Sequence, residues 1–336
     1  MSSSESTATA VAHANFALVK YWGKRDAERN MPDVGSISIT LDALSTTTRV
    51  RLDASLAEDR FRLGDAEHGP EQARVRAFVE RFRALSGEHR RADIESRNDF
   101  PTGAGLASSA SGFAALARAL VAAAGLDWSA RRVSELARMG SGSAARSIFG
   151  GFVEMARGDE EDGSDAVAFG LAAPDSWPLE VVVAIGDASP KAVGSTLGMQ
   201  RTAMTSPFYR AWVEQQPRAL AQARRAIEKR DFEALADVSE ASAMTMHGLA
   251  LSARPPLMYF DATTVECLHR LRALRSSGTP VFFTVDAGPQ VKAIFLPGHR
   301  DAVRDALSGV SGVTRLVDSG LGPGAHCVDE PDTAPA

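Results

Sequence analysis

Residues Phe100 to Gly112 read FPTGAGLASSASG, a small-residue loop that runs without a break into an apolar-periodic helix. Gly103 and Gly105 let the backbone turn and approach a ligand closely, and the first N–H groups of the following helix have no intrahelical partners. Such a helix start attracts anions through its free donors and its dipole. Phe113, Leu116, Ala117, Leu120, Val121 and Ala124 fall on one face before Gly125 stops the helix. The stretch reads as a phosphate cradle; taken alone, it fits an ordinary glycine turn capped by Ser108 or Ser109 equally well.

Two familiar phosphate loops are excluded. A Walker A loop ends in Gly-Lys-Ser/Thr, and no lysine occurs between Asn98 and Gly125. A dinucleotide fingerprint needs a third glycine where this chain has Ser108.

The chain has 336 residues, enough for one large or two ordinary domains, and its 44% hydrophobic content predicts a substantial core. A net charge of -5 argues against nucleic acid or an anionic membrane as partner. Any bound anion must therefore be held locally. Cys267 and Cys327 give no metal spacing, so free thiols in a reducing compartment are expected. The opening MSSSESTATA has neither a basic start nor an apolar segment, and no apolar run reaches membrane-spanning length. The expected location is the cytoplasm. Residues 1 to about 8 and the tail DEPDTAPA have the composition of frayed ends.

The elements mix as α+β, without the βαβα rhythm of a parallel sheet. Strands are expected at Ser36 to Leu41 and at Thr48 to Leu52, and an amphipathic arginine-rich helix at Ala73 to Leu85. Ser129 caps a further helix ending near Met139, and a second small-residue loop, GSGSAAR, fills Gly140 to Arg146 before the strand-like GGFVEM. The acidic run Asp159 to Asp165 reads as a solvated hairpin tip rather than a metal site. EVVVAI, Glu180 to Ile185, is a buried strand, and a helical region covers Pro217 to Glu240. Strands Val281 to Val285 and Val291 to Leu296 flank DAGPQ, a turn sequence. A domain boundary is expected after Gly186, giving units 1–186 and 187–328.

Four polar clusters lie at the ends of apolar elements: Lys20 to Lys24 (KYWGK), Phe100 to Ser111, Gly140 to Arg146, and Asp286 to Pro289. Two donor-rich loops, an arginine and two lysines suit a ligand with more than one phosphate group. Asp286 is a candidate general base if a cation keeps it ionised, and Lys20 is the candidate cation. Each cluster alone also has an ordinary structural reading. Trp22 can be a core aromatic, the methionines Met244, Met246 and Met258 core fillers, and His247 structural.

At these clusters the chain resembles the diphosphomevalonate decarboxylase family. The resemblance is carried by NFALVKYWGKRD from Asn15, NDFPTGAGLASSASG from Asn98, GSGSAARSIFGGFVE from Gly140, STLGMQRTAMTS from Ser195, PPLMYFDATT from Pro255 and TVDAGP from Thr284. They occur in the family's order and span nearly the whole chain. Pro101 to Ser109 alone indicates the wider superfamily of galactose, homoserine, mevalonate and phosphomevalonate kinases.

The resemblance implies a two-domain α+β sandwich of that superfamily, the first domain ribosomal protein S5 domain 2-like and the second ferredoxin-like. It implies ATP-dependent decarboxylation of (R)-5-diphosphomevalonate to isopentenyl diphosphate, with Mg2+ as the further cofactor, by a homodimer of this chain. By resemblance Asp286, Lys20 and Arg146 are catalytic. Tyr21, Trp22, Gly23, Lys24, Ser141, Gly142, Ser143, Ala144, Ala145, Arg146, Ser195 and Thr196 bind substrate. Ser96, Pro101, Gly103, Gly105, Leu106, Ala107, Ser108 and Ser109 bind the nucleotide. One departure stands out: many members carry Asn-Ser-Ser after KYWGK, where this chain has Asp33-Val34-Gly35-Ser36. Relatives that act on 5-phosphomevalonate, or that only phosphorylate the 3-hydroxyl, are the alternative reading.

Overall fold

The computed structural model describes residues 5–64, 72–100, 106–187, 189 and 191–329. Pro101, Gly103 and Gly105 lie outside the described residues. In chain order the first part comprises β1 (Glu5–Val19), β2 (Lys24–Asp26), β3 (Met31–Pro32), β4 (Ser36–Asp53), β5 (Arg60–Leu63), α1 (Gln72–Ser86) and β6 (Arg91–Asn98). There follow α2 (Ser108–Ala123), α3 (Ala130–Gly140), α4 (Ala144–Ser147), β7 (Phe152–Met155) and β8 (Ala168–Ala172). The second part holds β9 (Glu180–Ile185), α5 (Ser195–Thr205), α6 (Tyr209–Lys229), α7 (Phe232–Leu251), α8 (Ala262–Ser276), β10 (Val281–Val285), β11 (Val291–Phe295), α9 (Arg300–Ser308), β12 (Arg315–Ser319) and β13 (His326–Val328).

The first sheet runs β13-β1-β4-β6-β5, with β7 and β8 continuing from the other end of β4. The two strands expected at Ser36 and Thr48 are one strand, β4, kinked where Leu44 takes a φ of 62° and the register with β1 jumps. Glu5 to Ala8, expected to fray, pair with Asp53 to Val50 of β4. Their alternation of polar and small residues is that of a sheet edge rather than a loose end. β1 escapes an alternation test because most of its second half is buried on both faces. Across it lies α2, whose alanines at 110, 114, 115, 117 and 119 are fully buried and allow close approach to the sheet. Ser129 caps α3 as expected, accepting from the Arg132 N–H.

The second sheet has the order β10-β11-β9-β12, all antiparallel, the arrangement of a ferredoxin-like unit. β9 shows why a continuous apolar run was required. Val181, Val183 and Ile185 enter a cluster with Phe16, Ile37 and Leu235, while Val182 and Ala184 pack under Leu268 and Leu271 of α8. The first of these clusters is a core shared by both sheets. β9 bonds to β11 and β12 and so belongs to the second sheet. β13 returns to pair with β1. The helical region expected from Pro217 is two helices, with Pro217 inside α6 and a break at Arg230, φ 53°, before Asp231 caps α7. Among the described residues no helix is long and apolar enough to cross a membrane.

Candidate active site

The KYWGK segment starts where β1 ends, and the β10–β11 hairpin places its turn against it. Lys20 is 1% exposed, and its ammonium donates to the Ala17 carbonyl (2.8 Å), Thr284 Oγ1 (2.6 Å) and Asp286 Oδ1 (2.6 Å). Three donors thus meet three acceptors. Burial pulls Lys20 down to about 8 against the upward pull of Asp286. Burial would raise Asp286, but Lys20, Lys292 and Arg146 overcome it and hold the carboxyl well below the usual carboxylate range. The Asp286 side chain remains 28% exposed, toward a cavity of about 790 Å³ that also touches Lys20 and Arg146.

Arg146 lies in α4, directly after the small-residue loop. Its Nε donates to Asn15 Oδ1 (3.1 Å) and its Nη1 to Ser36 Oγ (2.7 Å), which fixes the plane of the guanidinium. Burial lowers it to about 10. Tyr21 stands beside it, with the guanidinium carbon 6.0 Å from the ring centre. The Tyr21 hydroxyl is buried and has no protein partner among the described residues. Gly142 lets the loop pass close beneath that hydroxyl, which a Cβ there would meet. Lys24 donates to Asn30 Oδ1 (2.6 Å) and to Thr196 Oγ1 (3.1 Å) at the start of α5. Burial, with Arg74 nearby, lowers it to about 8.

A second cavity of about 430 Å³ adjoins the first and shares Arg74, Ala107, Ser109, Lys191 and Gly194 with it. Phe61, Leu63, Ile94 and Leu116 make one side apolar, while Ser96, Ser108 and Ser109 supply hydroxyls. Ala107 precedes α2 with a φ of 60°, a conformation costly for a residue with a Cβ, and α2 has no side-chain cap. Neither Ser108 nor Ser109 therefore caps the helix. Ser109 Oγ lies 3.3 Å from Ser141 Oγ, linking the two small-residue loops.

Of the expected substrate residues, Tyr21, Trp22, Lys24, Ser141, Gly142, Ser143, Arg146, Ser195 and Thr196 line the larger cavity. Gly23, Ala144 and Ala145 do not; Tyr209 covers Gly23, and both alanines are fully buried at the start of α4. Trp22 serves packing as well, donating to Thr202 Oγ1 (2.8 Å) and meeting Tyr259 edge-on. Leu106 enters the shared core instead of the smaller cavity. Asn15, Arg74, Lys191 and Lys292 were not singled out in the sequence. Lys292 carried a readable signal, a lone cation in an otherwise apolar strand; Arg74 was hidden among the arginines of α1.

An apolar slot opening into a cation-walled cavity, with an ionised carboxylate facing that cavity, defines an enzyme that handles phosphorylated small molecules. A family described as diphosphomevalonate decarboxylase-like N-terminal domain matches residues 12–168, and a mevalonate 5-diphosphate decarboxylase C-terminal domain matches residues 181–315. The human diphosphomevalonate decarboxylase is 37% identical over 302 residues, 84% of this chain and 74% of its own. The Candida albicans protein of the same name is 32% identical, covering 96% of this chain and 98% of its own. The solved mevalonate diphosphate decarboxylase of Staphylococcus aureus is 35% identical, with a TM-score of 0.91 over 97% of this chain and 98% of that one. A further structure, MDDEF in complex with MVAPP, AMPPCP and magnesium, is 38% identical with a TM-score of 0.89, covering 97% and 100%. The chain belongs to the diphosphomevalonate decarboxylase family.

Proposed function

We infer that this chain catalyses the ATP-dependent decarboxylation of (R)-5-diphosphomevalonate to isopentenyl diphosphate, releasing ADP, phosphate and carbon dioxide. The observation that carries the reading is Asp286, held ionised by Lys20 on the wall of the larger cavity. A β-hydroxy acid loses carbon dioxide slowly because hydroxide is a poor leaving group. Phosphorylating the C3 hydroxyl makes a good one, and its departure leaves positive charge at C3 that the carboxylate electrons fill.

In this reading Asp286 orients the C3 hydroxyl for attack on the γ-phosphorus and accepts its proton. A carboxylate held so far below its usual range is a weak base, so orientation is the larger part of its work. Lys20 fixes the carboxylate. Arg146 faces the substrate carboxylate or diphosphate with a planar fork. Tyr21, Lys24, Ser141, Ser143, Ser195 and Thr196 hold the remaining substrate oxygens, and Ser96, Ala107, Ser108 and Ser109 the nucleotide. Among the described residues no group of three acidic, histidine or cysteine side chains could hold a metal alone. Magnesium is commonly held through substrate phosphates. Here the Ser109 and Ser141 hydroxyls are the neighbouring neutral donors, and the ion would neutralise phosphate charge.

The Asp33-Val34-Gly35 departure leaves this reading intact. Val34 is buried with Trp22 and Met199, and a Cβ at Gly35 would lie 2.8 Å from Leu220 Cδ1 and 3.1 Å from the Met155 carbonyl. Neither residue lines the cavity. We draw the division into two units before β9. A homodimer in the cytoplasm completes the proposal, supported by the family resemblance and by the free thiols Cys267 and Cys327. The test offers 5-diphosphomevalonate, 5-phosphomevalonate and mevalonate separately with ATP and magnesium while ADP, phosphate and carbon dioxide are followed. Equal release of all three from the diphosphate alone is expected; ADP without carbon dioxide makes the chain a kinase, and turnover of the monophosphate alone refutes the assigned substrate.

A further inference from the structure

Lys292 occupies a position where packing asks for no charge. Its neighbours in β11, Val291, Ala293, Ile294 and Phe295, are 0–1% exposed, and Lys292 itself is 1% exposed. Burying an ammonium costs several kcal/mol unless partners compensate it. Its partners all lie near Asp286. Lys292 stands directly across from Thr284 in the β10–β11 ladder, so the two side chains share a face of the sheet. Thr284 Oγ1 accepts from Lys20, while Lys292 Nζ lies 3.4 Å from Asp286 Oδ2, donates to the Gln290 carbonyl (3.1 Å), and sits 4.3 Å above the ring of Phe16.

We propose that Lys292 is a positioning residue for Asp286, clamping Oδ2 as Lys20 clamps Oδ1, so that the carboxylate presents one fixed orientation to the cavity. The two clamps are unequal. Lys20 makes a 2.6 Å hydrogen bond to Oδ1, whereas the 3.4 Å contact leaves Oδ2 freer to accept another donor. Lys292 comes from the same hairpin as Asp286, while Lys20 comes from β1's end in the other unit. One clamp is therefore built into the turn, and the other depends on the two units being docked.

The groups that act on Asp286 are Lys20, Lys292, Arg146, Lys191 and His247. Burial, reinforced by Lys20, pushes the His247 imidazole down to about 3, so it is neutral in the working range. Lys191, lowered by burial, adds a further charge from the loop before α5. Removing Lys292 leaves burial of Asp286 less opposed, and its carboxyl rises toward the working range.

The proposal rests on the catalytic role of Asp286 and is tested with Lys292→Met, which keeps the stem over Phe16, and Lys292→Gln, which keeps a donor without charge. Either folded variant should lose about tenfold or more in kcat with KM for ATP little changed. An acid limb should emerge in its kcat/KM profile, shifted up by about one to three pH units from the wild type. In an Asp286→Asn background, Lys292→Met should cost nothing further, because both act through one group. Lys292→Arg should keep the wild-type acid limb. Unchanged kcat, an unmoved limb, or additive losses would each overturn the proposal and leave Lys292 a packing residue. If the Met variant does not fold, the Gln variant decides on the same readouts. ADP and carbon dioxide are measured together: release of ADP alone by the wild type refutes the decarboxylase reading, yet the limb test still decides the role of Lys292 in phosphoryl transfer.

Discussion

Lys20 Nζ and Asp286 Oδ1 stand 2.6 Å apart although 266 positions separate them in the chain, one residue at the end of a strand in the first sheet and the other at the end of a strand in the second. Both residues line the larger cavity, and the pair ties one sheet to the other. Burial that would neutralise either group alone is offset by the other.

The pair should give activity an alkaline limit. Lys20 is lowered to about 8 by burial, so its charge is present below that pH and lost as pH rises through it. The log kcat/KM profile should bend down near pH 8 instead of near the ordinary lysine value. Lys24 titrates in the same range. Lys24→Arg should therefore keep the limb, whereas Lys20→Arg should remove it from the measurable range; a limb abolished by Lys24→Arg would assign it to the wrong lysine.

Arg146→Lys should lower kcat by about a hundredfold, the scale of losing one oriented donor in a closed site. An ammonium cannot satisfy Asn15 Oδ1 and Ser36 Oγ while presenting a planar edge to an oxyanion. Full activity in that variant would mean that the guanidinium only braces α4.

Gly35→Ser should destabilise the fold by about 1–3 kcal/mol through overpacking against Leu220 and the Met155 carbonyl. Thermal unfolding reads the loss. The preference for diphosphate over monophosphate should not move, since Gly35 does not line the cavity. A switch in preference would show that the departure at Gly35 does set the substrate.

What the sequence made legible followed physical rules that act locally. Ser129 announced its helix, the DAGPQ turn its hairpin, and the motif ends KYWGK, GSGSAAR and DAGP the residues now found around one cavity. Long-range burial was harder to read. β1 lacks clear alternation because both faces are covered, and β4 hides a kink at Leu44 that only pairing with β1 explains. Lys292 is a lone cation in an apolar strand, but only the register, which sets it across from Thr284, shows what it stands beside. The same limit applies to β9, whose apolar run signals burial but not the sheet to which it belongs.

The most direct test of the central claim is Asp286→Asn, a change of charge and basicity with almost no change of shape. Substrate and ATP binding are measured by calorimetry, and single-turnover release of ADP and of labelled carbon dioxide by quench. Binding should be retained while both releases fall together by about 10²–10⁴-fold, because the oriented acceptor for the hydroxyl is gone. Near-normal release of both products would contradict the account and remove Asp286 from the chemistry.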